Sequence, residues 1–117
     1  YILVCPEQLG GLSTPRDPSE IITTGKKDGH DVLDGSVKVL SNKGIDVTSN
    51  FIKGAEETLK IAKEHNVKTA ILKAGSPSCG YKKIYDGTFL GNKIQGMGVT
   101  AAILNKENIA LLDEDDI

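Results

Sequence analysis

Apolar positions along the 117 residues follow two spacings, with clusters of turn residues between them. Tyr1-Ile2-Leu3-Val4-Cys5 is a continuous apolar run, as expected of a strand buried on both faces. Pro6-Glu7-Gln8-Leu9-Gly10-Gly11 and Pro15-Arg16-Asp17-Pro18 then predict a loop leaving the carboxyl end of that strand. Between His30 and Leu40, Val32 and Leu33 precede Asp34-Gly35 while Val37 and Val39 follow it, which predicts a short hairpin around a tight turn. Thr48 or Ser49 is the expected N-cap of a helix that places Phe51, Ile52, Ala55, Leu59 and Ala62 on one face. That helix should run to Glu64, with Asn66 suited to the left-handed position beyond its end. Val67 to Lys73 reads as a strand. Val99 to Leu104 fits either state by periodicity, but Gly96-Met97-Gly98 before it and Asn105 to Asn108 after it favour a short helix leading to a strand over Ile109 to Leu112. Asp113-Glu114-Asp115-Asp116 is too acidic to bury and is expected to fray.

Strand, loop, helix, strand, loop, helix, strand is the rhythm of an α/β fold with a small parallel sheet flanked by helices, Rossmann-like in outline. The expected organisation is one domain over residues 1–112 with an acidic tail at 113–117. A start inside a core strand, with no Met, leads us to expect an N-terminally incomplete domain. Open α/β sheets carry their sites outside the carboxyl ends of the strands. Both cysteines fall there, Cys5 after the first strand and Cys79 in the loop that follows the 67–73 strand.

Composition narrows the function. Sixteen acidic against fourteen basic residues give a net charge of -2, so no broad positive field attracts a phosphate backbone. Three Tyr, two Phe and no Trp leave few platforms for stacking bases. Nucleic acid is not the expected partner. No apolar run is long enough to span a membrane and no cleavable leader pattern is visible, so the expected location is cytoplasmic.

Two cysteines alone are ambiguous. Unpaired Cys usually packs as a small hydrophobe, a disulfide is disfavoured in the cytosol, and the two His residues lack zinc-ligand spacing to either Cys. The Gly and Pro around each thiol argue for a site that needs close backbone approach. Arg16, Lys73, Lys82 and Lys83 lie in or near these loops, where solvation is their ordinary fate. Asp86-Gly87-Thr88 reads as a turn, and Gly96-Met97-Gly98 is too short for a phosphate loop.

Four segments together resemble a known family. They are Val4-Cys5-Pro6-Glu7-Gln8-Leu9-Gly10-Gly11-Leu12-Ser13-Thr14-Pro15-Arg16, Leu72-Lys73-Ala74-Gly75-Ser76-Pro77-Ser78-Cys79-Gly80, Ile84-Tyr85-Asp86-Gly87-Thr88-Phe89 and Gly96-Met97-Gly98-Val99-Thr100-Ala101-Ala102. In this order they resemble the thiouracil desulfidases, a short bacterial family formerly labelled only as a domain of unknown function. The resemblance implies a [4Fe-4S] cluster on three cysteines, two of which match Cys5 and Cys79. The third lies, in the family, in an N-terminal Ala-Cys-Leu-Leu-Gly-like segment after a first strand, upstream of anything in this sequence. Two thiolates alone are expected to hold a cluster weakly. The implied reaction is non-redox hydrolysis of a thiolated pyrimidine such as 2-thiouracil to uracil and sulfide.

Glu7, two residues after a cluster ligand, is the candidate acid/base, against the plainer reading of a solvated or capping Glu. Ser76 and Ser78 are candidate catalytic residues that orient substrate, against the commoner fate of capping the next helix. The alternative functions are a non-catalytic metal- or ligand-binding module, inactive for want of the third cysteine, and sulfur relay through a reactive Cys79.

Overall fold

The computed structural model describes residues 3–13, 17–23, 27–73 and 76–113. They form α1 (Pro6–Leu9), β1 (Ser19–Ile21), α2 (Gly29–Leu33), β2 (Val39–Ser41), α3 (Thr48–Glu64), β3 (Thr69–Leu72), β4 (Lys83–Tyr85), β5 (Lys93–Gln95), α4 (Val99–Lys106) and β6 (Ala110–Asp113). The α/β class is as expected, with the parallel pairing between β3 and β6, Thr69 opposite Ala110 and Leu72 opposite Asp113. β1 with β2 and β4 with β5 add two antiparallel pairs.

Helix α3 joins two apolar clusters because its inward residues recur every three or four positions. Phe51 and Ala55 enter one with Ile21, Val32, Val39, Ile84 and Val99, and Ala62 enters the other with Leu72, Ala101, Leu104 and Ile109. Full burial of a side chain such as Phe51 contributes about 1.5–3 kcal/mol. Helix α4 supplies Val99 to the first cluster and Ala101 and Leu104 to the second.

Several local expectations are corrected. Residues 3–5 are not a strand, since no described strand pairs with them to satisfy a ladder, and Leu3 is 86% exposed. Tyr1 and Ile2 lie outside the described residues, as do Thr14 to Arg16. The predicted loop opens with α1, where Pro6 occupies a first-turn position that needs no N–H.

The hairpin over residues 30–40 is instead α2 followed by β2. Asp28 and Asp31 form a reciprocal capping box: His30 N donates to Asp28 Oδ1 at 2.9 Å, and Asp28 N donates to Asp31 Oδ2 at 2.8 Å. The Asp34-Gly35 turn, with Gly35 at φ 89°, is the exit of that helix, and Val39 pairs with Ile21. Thr48 is the first residue of α3 rather than its cap, because the Asp46 carboxylate accepts both Thr48 N and Thr48 Oγ1. The helix ends at Glu64 with Asn66 at φ 53°, as predicted.

Asp113 does not fray. It is 4% exposed at the end of β6, where Lys82 Nζ lies 3.7 Å from its carboxylate. Residues 114–117 lie outside the described residues. Among the described residues, no helix is long and apolar enough to cross a membrane.

Candidate functional site

The loop after β3 is fixed by its own hydrogen bonds. Ser76 Oγ accepts the backbone N–H groups of Ser78 and Cys79, each at 3.1 Å, and Gly80 N donates to Ser76 O at 2.8 Å. This turn in turn caps α4. Val99 N donates to Pro77 O, and Thr100 N and Ala101 N both donate to Ser78 O, which satisfies N–H groups that a helix start leaves orphaned. Gly98 permits the approach, since a Cβ there would lie 2.5 Å from the Ser78 carbonyl. The Gly96-Met97-Gly98 motif is therefore a packing device. Ser78 is 1% exposed and its hydroxyl meets Thr100 Oγ1 at 2.7 Å, also buried. Ala74 and Gly75 lie outside the described residues.

Cys5 and Glu7 are carried by α1, with Cys5 at its N-cap and Glu7 in its first turn. Two glycines set where α1 lies. A Cβ at Gly54 of α3 would lie 1.9 Å from Pro6 O, and one at Gly10 equally close to Asn50 O. Only hydrogen at both positions allows backbone-to-backbone contact. Asn50 Nδ2 donates to Gly10 O at 2.8 Å and fixes the far end of the turn.

The two segments meet electrostatically at Cys79. Burial pushes its thiol up to about 11, although the residue keeps some exposed surface; the Glu7 and Cys5 charges push the same way, while hydrogen bonding with Ser78 and with the Lys73 backbone acts against them. Glu7 and Cys5 are thus close enough to act on a sulfur more than seventy positions away in sequence. Both cysteines stand as thiols. A groove of about 670 Å³ has Cys79 and Thr100 in its wall, along with Leu3, Val4, Pro6 and the residues of β3. A smaller hollow of about 410 Å³, lined by Leu12, Asp17, Ser41 and Val47 among others, holds none of the candidate groups.

Two soft thiolates suit iron better than a hard cation. Among the described residues no group of three or more His, Cys, Asp or Glu side chains could hold a metal ion, and Cys5 and Cys79 are both free of disulfides. The charges of Cys5 and Glu7 reach Cys79, and Ser76 and Ser78 lie in the turn that bears it. Ser76 is committed as a cap, and Ser78 faces α4. Lys73, Lys82 and Lys83 are exposed. Arg16 lies outside the described residues.

Sequence reasoning missed four residues. Thr100 sits in an apolar run that gave no sign of a buried hydroxyl partner. Gly54 was detectable, since glycine inside a helix costs about 1 kcal/mol against Ala and marks close packing. Asp28 was detectable from its spacing to Asp31. Glu20 is buried, and its carboxylate accepts Gly87 N at 3.0 Å and Phe89 N at 3.2 Å, holding the Asp86-Gly87-Thr88 turn from 67 residues away.

The Bacillus subtilis (strain 168) protein YbbK, described as uncharacterized, is 48% identical over 116 residues, covering 99% of this chain and 75% of its own length. The solved structure of a [4Fe-4S]-dependent thiouracil desulfidase, TudS, superposes with a TM-score of 0.81 at 39% identity. That match covers 97% of this chain, which spans 66% of the TudS chain. The model of the 2-thiouracil desulfurase family matches residues 1–116, and the chain belongs to that family.

Proposed function

We propose that this chain carries out desulfidation of a thiolated pyrimidine resembling 2-thiouracil, by hydrolysis without redox change. The observation that supports this reading most is that the charges of Cys5 and Glu7 reach Cys79. Cys5 and Cys79 are the thiolates of this chain that would hold a [4Fe-4S] cluster. When bound, such a cluster supplies a soft Lewis acid for a thiocarbonyl sulfur.

Glu7 then acts as acid/base. Its carboxylate takes a proton from water as the oxygen adds to the thiocarbonyl carbon, and returns it as the C–S bond breaks. Water supplies the new carbonyl oxygen and both hydrogens of the departing hydrogen sulfide, so no electrons are gained or lost. Ser76 and Ser78 hold the Cys79 turn in this scheme and do not touch substrate. A reducing cytoplasm suits thiol ligands of this kind.

The test is anaerobic reconstitution with ferrous iron and sulfide, followed by iron per chain and sulfide released from 2-thiouracil. Cys79→Ser should lose most iron and all turnover, because a hydroxyl is a harder, poorer ligand. Glu7→Gln should keep its iron and lose about 10²–10⁴ in rate. Iron binding without turnover in the unaltered protein would favour the non-catalytic binding module. Unchanged iron and turnover in Cys79→Ser would reduce that thiol to a packing role and remove the proposal.

A further inference from the structure

Sequence gives Ser78 and Thr100 no shared motif, yet the fold buries their hydroxyls 2.7 Å apart, at 1% and 0% residue exposure. Ser78 Oγ is also the neighbour of the Cys79 sulfur, at 3.9 Å. Three groups therefore form a line: sulfur, Ser78 hydroxyl, Thr100 hydroxyl. Each hydroxyl carries one proton and can turn it either way.

The state of the sulfur decides the direction. With a neutral thiol, S–H donates to Ser78 Oγ, and Ser78 is free to donate to Thr100. On binding a metal the thiol proton leaves to solvent and a sulfur lone pair goes to the metal, so the sulfur becomes an acceptor only. Ser78 must then donate to sulfur, which leaves its own oxygen in need of a donor in a dry site. Thr100 is placed to be that donor.

We propose that Thr100 is a positioning residue for metal on Cys79: its hydroxyl turns the Ser78 hydroxyl toward the sulfur and keeps it there. The proposal rests on the reading of Cys79 as a metal ligand. Partners one step behind a ligand commonly set its orientation and the affinity of the site, and hydrogen bonds to sulfur tune its electronics. The fixed backbone supports the role, because Thr100 N and Ala101 N both donate to Ser78 O and hold the two residues in register.

The experiment is an anaerobic titration of the metal-free protein with cobalt(II), read from the sulfur-to-cobalt charge-transfer absorption. Ser78→Ala and Thr100→Val should each weaken cobalt binding about 10-fold. Both should shift the absorption to longer wavelength, since a sulfur that loses a donated hydrogen bond gives up its electron more easily. Thr100→Ser keeps the hydroxyl and should match the unaltered protein in both readouts.

A merely structural role for Thr100 would change affinity without moving the band. Unchanged affinity and band in Thr100→Val, or equal losses in Thr100→Ser and Thr100→Val, overturn the proposal. Cobalt binding that survives Cys79→Ser, or no uptake by the unaltered protein, overturns the ligand reading and this role with it. Melting of the metal-free variants identifies any that fails to fold, and Thr100→Ala then carries the same expectations as Thr100→Val.

Discussion

The two thiol-bearing segments differ in how hydrogen bonding and backbone packing share the work of holding them. The Cys79 turn is fixed by hydrogen bonds, with Ser76 Oγ accepting two N–H groups and the Pro77 and Ser78 carbonyls accepting three from α4. The Cys5 segment is placed by close packing of backbones, with Asn50 Nδ2 donating to Gly10 O at its far end. Its four-residue helix has no side-chain cap, leans on α3 through Gly10 and Gly54, and follows the exposed Leu3 and Val4. Perturbations should therefore separate: loss of an acceptor disturbs Cys79, and added volume on α3 disturbs Cys5.

The strongest test adds one methyl group to each side. Gly98→Ala pushes against the Ser78 carbonyl, which is pinned by two hydrogen bonds, and should cost about 3 kcal/mol in chemical denaturation. Gly54→Ala pushes against Pro6 O, and the short helix above it can lift, so the cost should be about 1–2 kcal/mol. In Gly54→Ala the alkylation of Cys5 should speed up while that of Cys79 stays slow. Equal acceleration at both thiols would dissolve the distinction between them.

A smaller effect is expected from alkali. The Cys79 thiol titrates near 11 when folded and near its ordinary 9.0 when unfolded, so the folded state holds the extra proton between those values. Stability of the metal-free protein should be flat below pH 9 and fall as pH rises toward 11, by up to about 2–3 kcal/mol. Cys79→Ala should flatten that slope, and an unchanged slope would mean that the thiol is not enclosed as described. Least of all, Ser76→Ala removes one cap that serves two N–H groups and should cost about 0.5–2 kcal/mol in thermal or chemical unfolding. Loss at this level should appear with Cys5 reactivity unchanged.

What the sequence made legible follows the range of the interactions involved. Helix α3, with Phe51, Ala55 and Ala62 at helical spacing, and β3 were readable because their signals are local and repeated. The candidate site was named from the sequence at Cys5, Cys79 and Glu7 through a resemblance that four motifs with distinctive residues carried, and the family itself was legible there. The hairpin expected at residues 30–40 failed because the capping box of Asp28 and Asp31 outweighed a weak alternation of Val32, Leu33, Val37 and Val39. The burial of Asp113 and the Glu20 grip on Gly87 and Phe89 join residues far apart in the chain, and no local pattern encodes such pairs. Thr100 belongs with them, since a buried hydroxyl inside an apolar run reveals its purpose only once its partner is in place.

The parallel pairing of β3 with β6 also sets an order of events during folding. Thr69 meets Ala110 only after the intervening chain, with the β4–β5 hairpin and α4, has been laid down. Parallel strands joined by a long crossover close late, since the entropy of a large loop is lost before the contacts form. Cys79 lies inside that crossover, while Cys5 rides on α1, which packs on α3 across a stretch of chain of similar length, Pro6 to Gly54. On a growing chain the two sulfurs therefore remain separate until the crossover shuts. Metal loading should then track the final, slowest phase of refolding rather than the early formation of helix.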